Sequence, residues 1–312
     1  MKKYLIKRLT QLPIILFGVV VVTFLIIQLS PGDPAVIIAG SSARPEDIEA
    51  IRISLGLDQP LWKQFTTYVV NILHGDLGKS FLRKTAINKD IFTAFINTIY
   101  LMIFGRMWSI IAAIPLGIFS ALRQNTKVDK ICMGLSLAGI SLPQFWLGLM
   151  LMMLFGLKLQ WLPFSGMGEG FFTADGLIHV ILPAFMLGLP QMASISRLTR
   201  SEMLEIMRQD YIRTAKAKGL RQKVIIYRHA LRNASLPLVT VIGTQTGYML
   251  GGSVVIENIF AWPGLGRYTV NAIMGSDYPA IQASILFFAI MFLVVNLIVD
   301  VVYSVLDPRI KY

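Results

Sequence analysis

Long apolar runs alternate with short polar stretches along this chain. Residues 12–29 are almost wholly apolar, and further runs lie near 95–122, 131–157, 177–195, 236–256 and 281–306. Each is about as long as a bilayer-crossing helix needs, roughly 20 residues. A helix satisfies its own backbone in hydrocarbon, so this pattern predicts an all-α polytopic membrane protein with six transmembrane helices. The amino-terminal run follows Lys2, Lys3, Lys7 and Arg8, a layout that also describes a signal peptide. Its full-span length favours an uncleaved first helix. So does its exit through Ser30-Pro31-Gly32-Asp33-Pro34, which has no small-x-small cleavage site.

The spacing of apolar positions changes between the first and second runs. Pro45 suits a first helical turn, and Glu46 and Asp47 sit well near the positive end of a helix dipole. Ile48, Ile51 and Leu55 then share a face, and Gly56 stops the helix. Asp58 is the expected N-cap of a second amphipathic helix, with Leu61, Phe65, Val69 and Ile72 on one face and Gly75 at its end. Both helices are expected on the outer membrane surface. Their apolar stripes are read first as core-facing, which leaves the other side available for docking.

Charge orients the spans. Residues 123–130 hold three basic residues, 158–176 one, 197–232 ten and 257–280 one, and the tail adds Arg309 and Lys311. With the amino terminus inside, the short inner loops are basic and the short outer loops are not. Both termini are therefore expected in the cytoplasm. Residues 31–92 carry seven Lys/Arg and seven Asp/Glu, but a loop of that length counts less under the same rule. The division expected is a first helix at 1–30, an extracytoplasmic loop at 31–94, a five-helix core at 95–306 with an inner loop at 197–235, and a tail at 307–312.

The composition agrees with a membrane protein: 55% of the 312 residues are apolar and 15% charged. A net charge of +12 would also suit nucleic acid, but the positive charge lies between spans, so no nucleic-acid partner is expected. The single Cys132 rules out an internal disulfide, and no Cys/His cluster has zinc spacing. Gly75-Asp76-Leu77-Gly78-Lys79-Ser80 ends like a P-loop, yet Leu73 stands where the first P-loop glycine belongs. No HExxH, GxSxG or Walker A motif is present, so an enzyme is not expected.

The inner loop is the most informative stretch. Its ten basic and three acidic residues give it a charge of about +7 between 197 and 232. Within it, Arg213-Thr214-Ala215-Lys216-Ala217-Lys218 is helix-friendly and Gly219 is a natural stop. Residues 220–230 suggest a second short helix, and Pro237 suits the start of the next span. The outcome is a helix–turn–helix elbow on the membrane face; a plain basic loop drawn to anionic lipid is the competing reading.

DYIRTAKAKG, with His229, Asn233 and Pro237 downstream, resembles the coupling loop of ABC importer permeases, in its dipeptide, oligopeptide and nickel subfamily. Arg213 and Thr214 stand where the general motif has Glu and Ala, a departure that the subfamily shares. HGDLGKS and LGLDQPL in the outer loop, Gly251 to Gly266 after the fifth span, and the DPRI tail carry the same resemblance; Ser141-Leu142-Pro143 with Phe145-Trp146 adds a weaker match. The resemblance implies the type I ABC importer permease fold in the bacterial cytoplasmic membrane. It also implies a second homologous permease, two ATPase subunits that bind ATP and magnesium, and an extracytoplasmic solute-binding protein. No cofactor is implied in this chain. Asp210, Arg213, Thr214, Ala215, Lys216, Ala217, Lys218, Gly219, His229, Asn233 and Pro237 would form the element that docks on an ATPase. Peptides rank first as substrate, nickel or a metal chelate next, and glutathione third.

Several residues inside spans invite a role. Arg106 lies well within the second span, either facing a water-filled path or pairing within the bundle, with pairing preferred because one Arg gives no specificity. Gly243, Gly247 and Gly251 are four apart and suit close helix packing or, less simply, a path lining. Pro143, Pro183 and Pro190 are expected to kink spans three and four. Phe260 and Trp262 suit the outer interface. An ion-coupled secondary transporter would show intramembrane carboxylates or repeated halves, and only Asp300 is a candidate. A non-transporting scaffold would give no reason for an ordered elbow.

Overall fold

The computed structural model describes residues 2–29, 33–40 and 43–306. The DPRI tail lies outside them. Among the described residues there are helices, one isolated bridge between Lys79 and Ala86, and no strand. Five helices are long and apolar enough to cross a membrane, or six if a sharply bent pair is one span. The chain divides into two compact units, one of 2–98 with 263–293, the other of 99–262 with 294–306.

The first unit contains α1 (Lys2–Leu29), α2 (Pro34–Ala39), α3 (Pro45–Ser54), α4 (Leu61–Leu73), the start of α5 (Ile87–Leu122), α11 (Leu265–Met274) and the start of α12 (Tyr278–Leu306). Asp33, not Asp58, is the acidic cap found here: its carboxylate accepts from the Ala35 N–H at 2.9 Å. α4 instead begins after Pro60, since proline fixes the φ of its own residue and pushes the one before it out of the helical region. The core-facing stripe of α4 is real. Phe65 packs edge-on to Phe24 at 5.2 Å, and Tyr68 stacks on the same ring at 6.1 Å. Leu61, expected on that face, is exposed. Ile87, Ile91, Leu265, Ala272, Ala280 and Ala283 form a second apolar cluster.

The P-loop lookalike has a structural partner in this unit. Ser80 Oγ donates to Asp277, and the Phe81 N–H donates to Asp277 Oδ1 at 3.1 Å. A carboxylate therefore occupies the Ser80 hydroxyl and the N–H group that follows it.

The second unit holds α5 from residue 99, α6 (Lys127–Ser141), α7 (Gln144–Lys158, ending in a π-helical stretch), α8 (Ala174–Ile206), α9 (Asp210–Ala217), α10 (Gln222–Ile259) and the end of α12. The third expected span is not one helix. α6 and α7 meet at 105° across Leu142-Pro143. Leu142 is extended, with φ −81° and ψ 135°, as a residue before proline is biased to be. Pro183 and Pro190, by contrast, lie within the unbroken α8. Phe260 and Trp262 are fully buried, not interfacial, and Trp262 stacks on Tyr100 at 6.1 Å.

α5 and α8 are held close by small residues. A Cβ on Gly188 would overlap the Gly105 carbonyl and the Trp108 indole, and one on Gly117 would overlap Thr199. Trp108 Nε1 donates to the Ala184 carbonyl at 2.7 Å and its ring stacks on Phe185 at 4.8 Å.

Candidate functional site

The basic stretch between the fourth and fifth spans is mostly helix. α8 runs on to Ile206 and α10 starts at Gln222, leaving only Met207–Arg221 outside them, and α9 fills most of that gap. The second short helix expected at 220–230 is the first part of α10. It passes through a π-helical stretch at Ile225–Ala230 and continues without a break, so Pro237 lies inside the helix and not at its start. At about 1.5 Å per residue, the 38 residues of α10 are about 57 Å long, against an apolar slab of about 30 Å. One helix thus serves as span and as stalk.

α9 begins at Asp210, three residues before the stretch read as helix-friendly, and stops before the glycine. Gly219 has φ +72°, in the left-handed region. The Gly219 N–H donates to the Lys216 carbonyl at 3.0 Å and the Leu220 N–H to the Ala215 carbonyl at 3.3 Å. These are the two bonds of a Schellman cap, which satisfies carbonyls at the helix end. At the other end Asp210 accepts from Arg213 Nη1 at 3.4 Å, and Thr214 Oγ1 donates to the Asp210 carbonyl at 3.1 Å.

The short helix has two faces. Ile212 and Ala215 are buried in an apolar cluster with Met203 of α8, Ile118 of α5, and Ile225, Ile226, Ala230 and Ala234 of α10. Arg213, Thr214, Lys216, Ala217, Lys218 and Gly219 are exposed. Tyr211, Leu220 and Tyr227 are also exposed large side chains, which sets apolar surface among the basic residues. Asn233 Nδ2 donates to Tyr211 Oη at 3.0 Å and to the His229 carbonyl at 2.7 Å, tying α10 back to α9. His229 itself is half-buried on the π-helical stretch. The expected elbow residues therefore come together, except Pro237, which lies farther along α10. No acid–base or nucleophile arrangement is present in the elbow. Its exposed face carries Arg213, Lys216 and Lys218 beside Tyr211 and Leu220.

Two members of this assembly carry no local sequence signal. Asp129, at the start of α6, is buried and accepts from Arg200 of α8 through two bonds of 2.7 Å, from the Asn125 N–H at 2.9 Å, and from Ser120 Oγ. This ties the turn between α5 and α6 to the last turns of α8, just before α9.

The span residues separate. A Cβ on Gly243 would overlap Val299 of α12, and Gly247 is buried. Gly251 is exposed with open space around it. Arg106 is not paired: its three guanidinium nitrogens are buried, with no hydrogen-bond partner among the described residues. Among the described residues no group of three His, Cys, Asp or Glu could hold a metal ion.

Two family descriptions match the chain. "Binding-protein-dependent transport system inner membrane component" covers residues 113–312, and the N-terminal membrane component of the same systems covers 1–102. The chain is 43% identical to the glutathione transport system permease protein GsiC of Pectobacterium atrosepticum, over all of both chains. It is 44% identical to the dipeptide transport system permease protein DppB of Alkalihalophilus pseudofirmus, again over all of both. The GsiC protein of Escherichia coli K12 is 42% identical over the same full extent.

Proposed function

This chain belongs to the family of inner membrane components of binding-protein-dependent transport systems, and we propose that it forms half of the translocation path for peptides in an ATP-driven importer. It is a multi-pass permease subunit of the bacterial inner membrane and not itself an enzyme. Such a permease works with a partner permease, an ATPase and a solute-binding protein. The finer reading is a second homologous permease and two ATPase subunits, with ATP and magnesium held by the ATPases. The observation that carries the substrate class is full-length identity above 40% to permeases named for glutathione and for dipeptides. Both are short peptides with free carboxylates.

The elbow is the docking element in this reading. Its inner face rests on the apolar cluster shared by α5, α8 and α10, while its outer face offers exposed cations around Tyr211, Leu220 and Tyr227. A cleft on an ATPase that takes Arg213, Lys216 and Lys218 would move α9, and α9 would carry the stalk ends of α8 and α10 with it. The alternation of basic and non-basic loops supports an elbow in the cytoplasm with ATP, and residues 33–85 outside with the solute-binding protein.

The test is reconstitution of the complex in vesicles with its binding protein. ATP-dependent uptake of a dipeptide or of glutathione is expected only when this chain is present, and the purified chain alone should hydrolyse no ATP. ATP hydrolysis by the chain alone, or peptide uptake without it, overturns the reading.

A further inference from the structure

The buried side-chain atoms that lack a partner are few and concentrated. Among the described residues they are Tyr100 Oη, the three Arg106 guanidinium nitrogens and Gln245 Oε1. All belong to α5 or α10, two spans of one unit. Native proteins pair nearly all such atoms, and a buried charge without a counter-charge is costly. An intramembrane Arg kept in this state marks a site whose partner comes from outside the chain.

Arg106 and Gln245 both lie near a contact between α5 and α10. Met102, Ser109 and Ala113 are buried, so Arg106 lies on a buried stripe of α5. Gly105, its neighbour, approaches Met249 of α10: a Cβ there would be 3.3 Å from Met249 Cε. Gln245 is one turn from Met249 on the same face, and its Nε2 is taken by Ser194 Oγ at 2.7 Å, leaving Oε1 as an unfilled acceptor. The contact of α5 with α10 thus has buried N–H donors on the residue next to Gly105 and a buried carbonyl acceptor one helical turn from Met249.

We propose that Arg106 is the carboxylate-recognising residue of the translocation path, binding the free carboxylate of a peptide in transit, with Gln245 Oε1 accepting from a peptide N–H. This rests on the peptide-importer reading. A guanidinium fork matches a carboxylate with two parallel hydrogen bonds. Two other anions fit less well. A lipid phosphate stays at the bundle surface, whereas the Arg106 nitrogens are enclosed by this chain's own atoms. A carboxylate from the second permease would be a permanent partner, yet the approach to Arg106 is closed in this conformation. A group that is closed off and unpaired in one state suits a ligand that arrives when the bundle opens and then leaves.

The experiment uses the reconstituted complex, with uptake of alanyl-alanine and of its C-terminal amide measured for wild type, Arg106→Gln and Arg106→Lys. The ratio of acid to amide uptake is compared between variant and wild type, which cancels any preference imposed by the binding protein. Loss of a charge-assisted bond predicts a fall in this ratio of about tenfold or more in Arg106→Gln, with amide uptake kept. Arg106→Lys should retain part of the preference. An equal fall for acid and amide in Arg106→Gln would show a structural role and overturn the inference. Loss of the second permease on purification would assign the partner to that subunit and overturn it too. If wild type takes up neither compound, nor glutathione, the peptide reading itself fails.

Discussion

Arg200 grips Asp129 with two parallel bonds, Nε to Oδ1 and Nη2 to Oδ2, each 2.7 Å. The carboxylate is nearly inaccessible, its side chain 5% exposed, so this pair works with little screening by solvent. Removing Asp129 leaves the Arg200 guanidinium, 24% exposed, without its carboxylate. Asp129→Ala is therefore expected to destabilise the chain by about 2 kcal/mol. Arg200→Lys keeps the charge but not the fork and should cost less. Thermal unfolding of the purified complex in detergent measures both. Equal melting temperatures for Asp129→Ala and wild type would show that the pair contributes nothing.

Gly219 should tolerate substitution according to backbone conformation alone, because a Cβ there would meet nothing within 4 Å. Its φ of +72° costs a β-branched residue about 1 kcal/mol or more, while Asn visits this region more readily. Gly219→Val is expected to uncouple ATP hydrolysis from uptake or to weaken ATPase binding. Gly219→Asn should remain close to wild type, as should Lys223→Ala outside the cap. Membrane insertion should be normal in all three. Equal coupling in Gly219→Val and wild type would leave α9 as a plain basic loop.

Topology can be checked by cysteine labelling of intact cells in a Cys132-free background. A cysteine at Lys63, on α4, should be modified by an impermeant reagent, and one at Lys216, on α9, should not. Protection at 63 with modification at 216 would invert the arrangement of the spans.

Acid should loosen the link between α2 and α3 only below the ordinary carboxylate range. Arg52 donates to Asp33 and, with the Ala35 N–H, holds its carboxyl below the usual carboxylate value. A carboxyl depressed by folding contributes stability above its unfolded pKa of about 3.9, and that contribution is lost as pH falls through the lower folded value. Carbon-13 titration of the Asp33 carboxyl should give a midpoint below this reference. Arg52→Gln should move the midpoint upward. An unchanged midpoint in Arg52→Gln would assign the shift to the Ala35 cap.

The apolar runs were legible because hydropathy reports directly on burial in lipid. Hydropathy could not show where a helix continues into water, so the end of α8 read as loop, the start of α10 as a separate short helix and Pro237 as the start of the span. Pro143 read as a kink, whereas the chain turns through 105° there, since a proline signals a lost hydrogen bond but not the packing that sets the angle. α9 was visible from its composition and from Gly219, because a Schellman cap is a local event. The Arg200–Asp129 pair and the Ser80–Asp277 bond join residues 71 and 197 positions apart, and no periodicity marks such a pairing. Arg106 was read as an intrahelical-bundle partner; finding its nitrogens unpaired required the packed side chains around it.

The close approach of α5 to α8 determines how the molecule can deform. Gly105, Gly117 and Gly188 leave no slack between the two backbones, and Trp108 bolts one to the other through the Ala184 carbonyl. Sliding one past the other would drive Cα hydrogens and carbonyls into collision, so the pair is stiff in shear. If α9 is the docking element proposed above, a thrust delivered there would meet little slip at that seam. It would pass along α8, and the unit would yield instead at the angled joint between α6 and α7, where Pro143 has already removed a hydrogen bond.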